Sequence, residues 1–292
     1  MPKTDLLVII NPLSGTMPLT QKEKLRAFIT TEAERQGFQP DIIITTAAGH
    51  ATELATEATK TGIRRVLVMG GDGTINEAAR ALRKTQTALG IIPMGSGNGL
   101  ARHLGLPMNP QKAVQRALTG KPVLIDSAEI NDIPFFCTAG LGFEAFVAHE
   151  FAKQPTRGLQ TYAKTAFGSF WTYQPADYTI DGRETGPLFS LTVANAAQFG
   201  NNAWIAPTAN IADGQLDICQ MKPFPARAAG LLGWRLFNKS LNTSAYWQSR
   251  RVQTATIQSA APLLAHADGE PILLPGNTCT VRVLPGSLLI LL

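Results

Sequence analysis

The sequence contains few cysteines and little charge. Its 292 residues include three cysteines, Cys137, Cys219 and Cys279, and charged residues make up 16% of the chain. Three widely separated cysteines fit neither a disulfide framework nor the paired ligand spacing of a zinc site. We therefore expect reduced thiols and a cytoplasmic protein.

Long hydrophobic runs are also absent. The first apolar run covers only Leu6–Ile10 and ends at Asn11-Pro12, which is too short for a signal peptide. No later run approaches the roughly twenty residues that a membrane-spanning helix needs. We expect no transmembrane segment, so that any contact with a membrane would be peripheral.

Several familiar motifs and basic patterns are missing. The chain has no Walker GxxxxGK[ST] motif, no protein-kinase signature set and no EF-hand loop. Its 26 Lys and Arg exceed its 21 Asp and Glu, and the net charge of +5 favours anionic partners. Since no long basic run and no basic-aromatic alternation occurs, we expect no nucleic-acid partner.

The most informative segment is a glycine-rich turn between a strand and a helix. The apolar run Val66–Met69 leads into Gly70–Glu77, which reads GGDGTINE, and a helix-like stretch follows. A strand, a glycine turn and a helix start present backbone N–H groups to a phosphate. Asp72 lies between the glycines, and an acid beside phosphates usually needs a metal ion between them. Thr74 is expected to cap the following helix.

Two other apolar runs end in similar loops. Leu6–Ile10 leads into Asn11–Gly15, and Ala88–Ile92 leads into Pro93–Arg102, which reads PMGSGNGLAR. The carboxyl ends of parallel strands share one edge of a sheet, so the three loops can converge on one ligand. The pattern predicts a nucleotide site.

The pattern of predicted secondary structure changes near residue 120. Up to about residue 120, strand-like and helix-like segments alternate, which predicts a largely parallel sheet. The strand-like segments there are Leu6–Ile10, Asp41–Thr45, Arg65–Met69 and Ala88–Ile92, and the helix-like segments are Thr20–Gln36, Ala51–Thr61, Ile75–Arg83 and Gln111–Leu118. From Lys121-Pro122 onward, short β-rich runs and turns such as Asp213-Gly214 and Pro285-Gly286 predict an antiparallel domain, with helical interruptions near Leu159–Tyr173 and Ala226–Phe237.

The motifs together resemble a known family. NPLSG, GGDGTINE and PMGSGNGLAR, in this order, resemble the diacylglycerol kinase catalytic-domain family, which includes bacterial lipid kinases and sphingosine and ceramide kinases. Two late segments extend the resemblance, since Ala206–Asp217 is similar to its metal loop and His266–Pro271, HADGEP, to its acidic motif. The chain departs from the family at Gly99, where members often carry an acid.

The resemblance implies an α/β plus β fold. We expect an N-terminal Rossmann-like parallel α/β nucleotide domain, residues 1–122, and a C-terminal antiparallel β-sandwich-like domain, residues 123–292, whose last residues return to the first domain. The family places its active site in the interdomain cleft.

The resemblance also implies site residues. It assigns Glu270 as the proton acceptor, Asp268 as its partner in orienting the hydroxyl or holding magnesium, and Asp72 as the link to catalytic magnesium, although which acid takes the proton stays open. Asn210, Asp213 and Gln215 align with a structural magnesium site. The residues expected to contact the nucleotide are Asn11, Pro12, Ser14, Gly15, Thr45, Gly70, Gly71, Asp72, Gly73, Thr74, Asn76, Glu77, Ser96 and Asn98.

Each assignment has a purely structural alternative. Thr45 can cap a strand end, Asp213-Gly214 can be an ordinary turn, and Asp268-Gly269-Glu270 can be a hairpin turn with two solvated acids. Gly140–Ala145 fits the GxGxxA pattern of a dinucleotide-binding oxidoreductase, but no βαβ unit with a suitably spaced acid follows it. One late segment suits either an interfacial helix on anionic lipid or a core-facing helix with a basic outer side. Its apolar residues are Leu231, Leu232, Trp234, Leu236 and Phe237, and the basic residues beside them are Arg227, Arg235, Lys239, Arg250 and Arg251.

The expected function is an ATP- and Mg²⁺-dependent lipid kinase of phospholipid biosynthesis. It would phosphorylate a primary hydroxyl of a lipid at the membrane surface, with diacylglycerol as the substrate. The alternatives are a sphingosine- or ceramide-type kinase, a non-lipid kinase of the NAD-kinase superfamily, and a catalytically silent nucleotide- or lipid-binding regulator. The sequence leaves open whether the chain forms a homodimer.

Overall fold

The structure, a computed structural model, describes residues 5–156 and 158–292, without the side chain of Leu19. The described chain divides into two units. The first unit contains residues 5–125 and 286–292, and the second unit contains residues 126–285.

Strands and helices alternate in the first unit, as predicted. Four strands form a parallel array in the order β2-β1-β3-β4. The elements are β1 (Leu6–Ile10), α1 (Leu19–Arg35), β2 (Pro40–Ile44), α2 (His50–Thr61), β3 (Arg65–Gly70), α3 (Asp72–Leu82), β4 (Ala88–Pro93), α4 (Gly99–His103) and α5 (Pro110–Thr119).

The apolar runs form strands here because both faces of the parallel array are covered. All five residues of β1 and all six residues of β4 are buried. Helix α5 packs Ala113, Val114 and Ala117 into the same core. A strand that is buried on both faces reads as a continuous apolar run rather than an alternating one. The parallel pairing of β1 with β3 and of β3 with β4 brings their carboxyl ends to one edge, where the three small-residue loops begin.

The second unit is mainly β structure with helical insertions. The elements that lie wholly or partly in it are β5 (Pro122–Ile130), β6 (Ile133–Phe135), β7 (Thr138–Gly142), α6 (Phe143–Ala152), α7 (Leu159–Phe170), β8 (Ala176–Ile180), β9 (Arg183–Leu188), β10 (Ser190–Ala194), β11 (Leu216–Met221), α8 (Ala226–Phe237), a 3₁₀ helix (Leu241–Thr243), β12 (Trp247–Val252), β13 (Thr254–Ser259), β14 (Leu264–Ala267), β15 (Glu270–Leu273) and β16 (Thr278–Leu291).

Two antiparallel layers share a core in the second unit. One layer has the order β12-β11-β10-β7-β14-β15, and the other contains β9, β8, β13 and the first part of β16. Leu141 and Val193 from the first layer belong to the same buried group as Ile180 and Ile257 from the second. Two sheets that bury their facing side chains in this way form a β-sandwich, which confirms the predicted fold class.

The structure differs from the sequence prediction in some details and excludes one of its alternatives. Pro285-Gly286 was expected to be a turn but lies within β16, whose last residues pair in parallel with β4 in the first unit, with Ile290 opposite Leu89. Helix α6 was not predicted. Strand β7, which carries the start of Gly140–Ala145, pairs antiparallel with β10 and β14, so the dinucleotide-binding alternative is wrong.

Among the described residues, no helix combines the length and the apolar character needed to cross a bilayer.

Candidate functional site

The three loops at the ends of β1, β3 and β4 are joined by hydrogen bonds. The Gly71 backbone N–H donates to Ser14 Oγ at 3.1 Å, and Asn11 Nδ2 donates to Thr74 Oγ1 at 2.8 Å. These bonds connect the β1 loop to the start of α3. The convergence expected from the parallel strand ends is present in the structure.

Helix α3 begins earlier than the sequence suggested. Its first residue is Asp72, Gly71 is the N-cap, and no side chain caps it. The prediction that Thr74 caps α3 is wrong, because Thr74 lies inside the first turn and its hydroxyl accepts a hydrogen bond from Asn11 instead. An N-terminus without a side-chain cap leaves backbone N–H groups available to an anion.

Asp72 connects the β3 loop to the β4 loop. Its Oδ2 accepts the backbone N–H of Asn98 and its Oδ1 accepts that of Gly99, both at 2.8 Å. Asp72 therefore holds the start of α4 in place, a structural role that was not predicted. A carboxylate has about four lone pairs, so two hydrogen bonds leave acceptor capacity on each oxygen.

The glycines of these loops allow close backbone approach. A Cβ atom on Gly15 would lie 2.1 Å from the Met94 carbonyl oxygen, and one on Gly97 would lie 2.9 Å from Asp72 Oδ2. Gly73 differs, since a Cβ atom there would meet nothing within 4 Å. The loops are packed tightly against one another but open at Gly73, the second residue of α3.

The other predicted nucleotide residues have varied surroundings. Ser96 is exposed, and Asn76 is buried. The N–H of Thr45 donates to the carbonyl oxygen of Ile10 at 2.8 Å, and its Oγ1 lies 3.5 Å from the same atom, as expected of a strand-end cap. Glu77 Oε2 accepts the N–H of Ala51 in the first turn of α2. Neither Thr45 nor Glu77 joins the network of Asn11, Ser14 and Asp72.

Lys22 was missed by the sequence analysis. This buried side chain on α1 donates from Nζ to the Pro12 carbonyl oxygen at 2.5 Å. It fixes the β1 loop and brings a cation to it. No motif marks Lys22, because its position follows from how α1 packs rather than from the local sequence.

In the second unit, the HADGEP segment forms a hairpin turn. Strands β14 and β15 pair with Ala267 opposite Glu270, and Asp268 and Gly269 form the turn. The Asp268 carboxylate accepts the backbone N–H groups of Phe136, Cys137 and Thr138 at 2.7–3.0 Å. Asp268 is therefore not a solvated turn acid, since it ties the hairpin to residues 136–138.

Glu270 has a different environment. It is exposed, and among the described residues its carboxylate has no hydrogen-bond or ion-pair partner. The turn beside it is held by His266, whose Nδ1 accepts the Gly269 N–H at 3.2 Å. Glu270 thus presents an unpaired carboxylate from a fixed turn.

His266 and Glu144 are buried next to each other below this turn. A Cβ atom on Gly140 would lie 2.5 Å from His266 Nε2 and 2.7 Å from Glu144 Oε1, so only glycine fits between them. Burial lowers the pKa of His266 to about 4, with a smaller contribution from His149. Burial also raises the pKa of Glu144, and hydrogen bonds from Ser190 and Thr192 oppose this rise. His266 is therefore neutral at pH 7.

The predicted structural metal residues lie on one loop. Asn210 Oδ1 accepts the N–H of Ala212, and Asp213 Oδ1 accepts that of Gln215. Arg251 lies 3.7 Å from Asp213 Oδ2. In the described part of the chain, no group of three or more His, Cys, Asp or Glu side chains is arranged to hold a metal ion. Magnesium binding at this loop stays a prediction, and the ion would need side-chain amide and backbone carbonyl oxygens as ligands in addition to Asp213.

The chain thus combines an α/β unit, whose strand-end loops are joined by hydrogen bonds, with a β-sandwich unit, in which the HADGEP segment forms a hairpin. The family model of the diacylglycerol kinase catalytic domain matches residues 5–130, and that of the YegS C-terminal NAD kinase β-sandwich-like domain matches residues 138–292. The chain belongs to the YegS-like lipid kinases of the diacylglycerol kinase catalytic-domain family.

Individual relatives agree with this assignment. The chain is 31% identical to a Chromohalobacter salexigens protein named "Probable lipid kinase YegS-like", over 94% of this chain and 92% of that one. It is 28% identical to "Probable lipid kinase YegS" of Salmonella arizonae, over 97% and 94%. A crystal structure of a diacylglycerol kinase from Bacillus anthracis has the same fold, with a TM-score of 0.76, 22% identity and coverage of 100% and 97%.

Proposed function

We propose that this lipid kinase transfers the γ-phosphate of ATP to the primary hydroxyl of diacylglycerol. The observation that carries the proposal is the unpaired Glu270 carboxylate, which is exposed on a turn fixed by Asp268 and His266. Transfer to an alcohol requires a carboxylate that accepts the hydroxyl proton as the new P–O bond forms. An unpaired exposed carboxylate on a fixed turn fits that requirement.

The loop network of the first unit supports the nucleotide part of the proposal. The N-terminus of α3 has no side-chain cap, and the space beside Gly73 is open. A phosphate there would receive backbone N–H hydrogen bonds and the favourable end of the helix dipole. In the proposal, Asn11, Ser14 and Lys22 keep the β1 loop in the position that lines this space.

Magnesium fits the donor atoms of the same loops. The Asp72 carboxylate keeps acceptor capacity on both oxygens, and Mg²⁺ prefers carboxylate and water oxygens. When bound, the ion would neutralise charge on the β- and γ-phosphates. The protein's own contribution is to keep Asp72 fixed through Asn98 and Gly99, so that the carboxylate does not need to be ordered on binding.

In the proposed chemistry, Glu270 removes the proton and Asp268 keeps Glu270 in place. The Asp268 carboxylate accepts hydrogen bonds from three backbone N–H groups. These bonds favour a positioning role for Asp268 over direct proton transfer. Among the acidic residues of HADGEP, Glu270 is then the base. The exposed position of Glu270 leaves room for a bulky lipid hydroxyl to approach.

The test is a transfer assay with γ-labelled ATP and a panel of diacylglycerol, sphingosine and ceramide, with the products separated by chromatography. We expect Mg²⁺-dependent labelling of diacylglycerol above the other two lipids. Preferential labelling of sphingosine or ceramide would overturn the choice of substrate. If no lipid is labelled while ATP still binds in equilibrium dialysis, the chain is a silent regulator and the proposal fails.

A further inference from the structure

Helix α8 exposes an apolar face in addition to the one that it buries. Leu232 packs with Ile205, Cys219 and Met221. Leu231, Trp234 and Phe237, spaced three residues apart, are 53%, 60% and 58% exposed. Residues at this spacing lie along one side of a helix. A helix that only covered the core would carry polar residues on this side.

The end of α7 adds two more exposed aromatic rings beside the start of α8. Phe167 and Trp171 are 71% and 63% exposed. The Phe170 ring lies 5.2 Å from that of Trp171 and 6.0 Å from that of Phe224, which precedes α8 by two residues. We call the exposed side chains of Phe167, Trp171, Leu231, Trp234 and Phe237 the aromatic face.

The two chain segments that carry the aromatic face contain basic residues but no acidic ones. The sequence contains no Asp or Glu between Asp217 and Asp268 and none between Glu150 and Asp177. On α8, Arg227 and Arg235 accompany the exposed apolar residues, and within the described chain neither has a carboxylate partner. A surface that is anionic outside and apolar beneath would contact both the arginines and the exposed aromatic residues favourably.

We propose that the aromatic face docks on the surface of a bilayer that contains anionic lipid. A lipid interface accepts Trp and Phe at the depth of the headgroups and offers negative charge to Arg227 and Arg235. This docking surface would explain how the enzyme reaches a lipid substrate, and in that respect it rests on the proposed function. The measurements below separate the two.

Binding to vesicles tests the docking surface. The 292-residue protein is sedimented with vesicles of phosphatidylcholine alone and of phosphatidylcholine mixed with phosphatidylserine. We expect wild type to prefer the mixed vesicles, and Trp234→Ser/Phe237→Ser to bind them about tenfold or more weakly, because two interfacial side chains are lost. The matched control is Val123→Ser/Leu124→Ser, which removes two exposed apolar side chains from the first unit and leaves binding unchanged.

Charge is tested separately. Arg227→Gln/Arg235→Gln is expected to remove the preference for phosphatidylserine, whereas Arg26→Gln/Arg64→Gln, with the same net charge, keeps it. Trp234→Phe keeps an apolar ring and is expected to retain binding but to lose part of the tryptophan quenching by brominated lipid. Circular dichroism and thermal unfolding check that each variant is folded. Equal vesicle binding by wild type and folded Trp234→Ser/Phe237→Ser overturns the proposal.

Two further readouts exclude the alternatives. If light scattering shows a wild-type dimer that Trp234→Ser/Phe237→Ser dissociates while vesicle binding is unchanged, the face binds a second copy and the proposal is wrong. With detergent-dispersed diacylglycerol, the variant is expected to match the wild-type rate, and with vesicles it is expected to be slower. Vesicle binding that depends on Trp234 without any lipid phosphorylation would contradict the proposed function but support the docking surface.

Discussion

His266 accepts the backbone N–H of Gly269, so a buried imidazole holds the turn from which Glu270 projects. The bond requires a neutral Nδ1, and burial keeps the ring neutral at ordinary pH by lowering its pKa to about 4. The same residue therefore couples the stability of the second unit to pH and fixes the proposed base.

Unfolding free energy is expected to fall as the pH decreases from about 6.5 to 4. In this window the unfolded chain protonates His266, whereas the folded chain does not, so stability is complete above the ordinary pKa and is lost below it. The lowering of the His266 pKa from 6.5 to about 4 corresponds to roughly 3 kcal/mol of unfolding free energy. Urea unfolding at several pH values measures the slope.

The control for this effect is His266→Asn, in which the amide oxygen can accept the Gly269 N–H. It is expected to lower stability at all pH values through lost packing but to flatten the pH dependence. Glu144 has a raised pKa, so its effect on stability has the opposite sign. Its contribution to the unfolding free energy is present below the ordinary pKa of a glutamate and is lost as the pH rises above that pKa. Because both proteins contain Glu144, the difference between them isolates His266. Equal slopes would contradict this role.

Asp268→Ala is expected to destabilise the protein by about 3 kcal/mol or more. The substitution leaves the N–H groups of Phe136, Cys137 and Thr138 without their acceptor, and each unsatisfied buried donor costs about 1–3 kcal/mol. Denaturant unfolding gives the change. Asp177→Ala, at an exposed position on β8, should stay within about 0.5 kcal/mol of wild type. A stable Asp268→Ala protein would show that the hairpin does not depend on this anchor.

The partners of Asp268 illustrate what the sequence cannot provide. Its hydrogen bonds reach residues more than a hundred positions earlier in the chain, and no local pattern encodes such a contact. The DGE motif identified Asp268 and Glu270 as candidate acids, but it could not distinguish their surroundings. The structure separates them, because Asp268 is bonded to backbone and Glu270 is not.

Lys22→Met is expected to raise KM for ATP about tenfold with little change in kcat. Methionine retains the apolar stem but cannot bond the Pro12 carbonyl, and a hydrogen bond from a charged group contributes about 1.5–3 kcal/mol. Steady-state kinetics with varied ATP gives both constants. Lys24→Met on the exposed side of the same helix is the control, and an equal KM in both variants would show that Lys22 does not support the nucleotide loop.

The fold was largely predictable where burial dominates the sequence. β1 was predicted with its observed bounds, because a strand buried on both faces has a continuous apolar run. Helix α3 was predicted to begin at Ile75, since Gly71 and Gly73 disfavour helix, yet it begins at Asp72. In the structure, Asp72 at the start of α3 accepts hydrogen bonds from Asn98 and Gly99. These residues are too far away in the sequence for a local pattern to reveal the contact.

Helix α6 was missed for a different reason. Its sequence, FEAFVAHEFA, lacks a clear polar face, and Glu144 is buried with Ala145, Val147 and Ala148. A periodicity test relies on alternation between apolar and polar faces, so a helix that buries an acid gives little signal. The candidate site was likewise predicted only in part. The motifs identified its loops, but the hydrogen bonds that hold these loops together were seen only in the structure.

The most direct test of the lipid kinase proposal is the initial rate of phosphate transfer from γ-labelled ATP to diacylglycerol by Glu270→Gln. We expect kcat to fall about 10²- to 10⁴-fold, as for removal of a general base, with wild-type stability and ATP affinity. The control Glu184→Gln, at another exposed glutamate, should keep the full rate. A Glu270→Gln protein that transfers phosphate as fast as wild type would contradict the account.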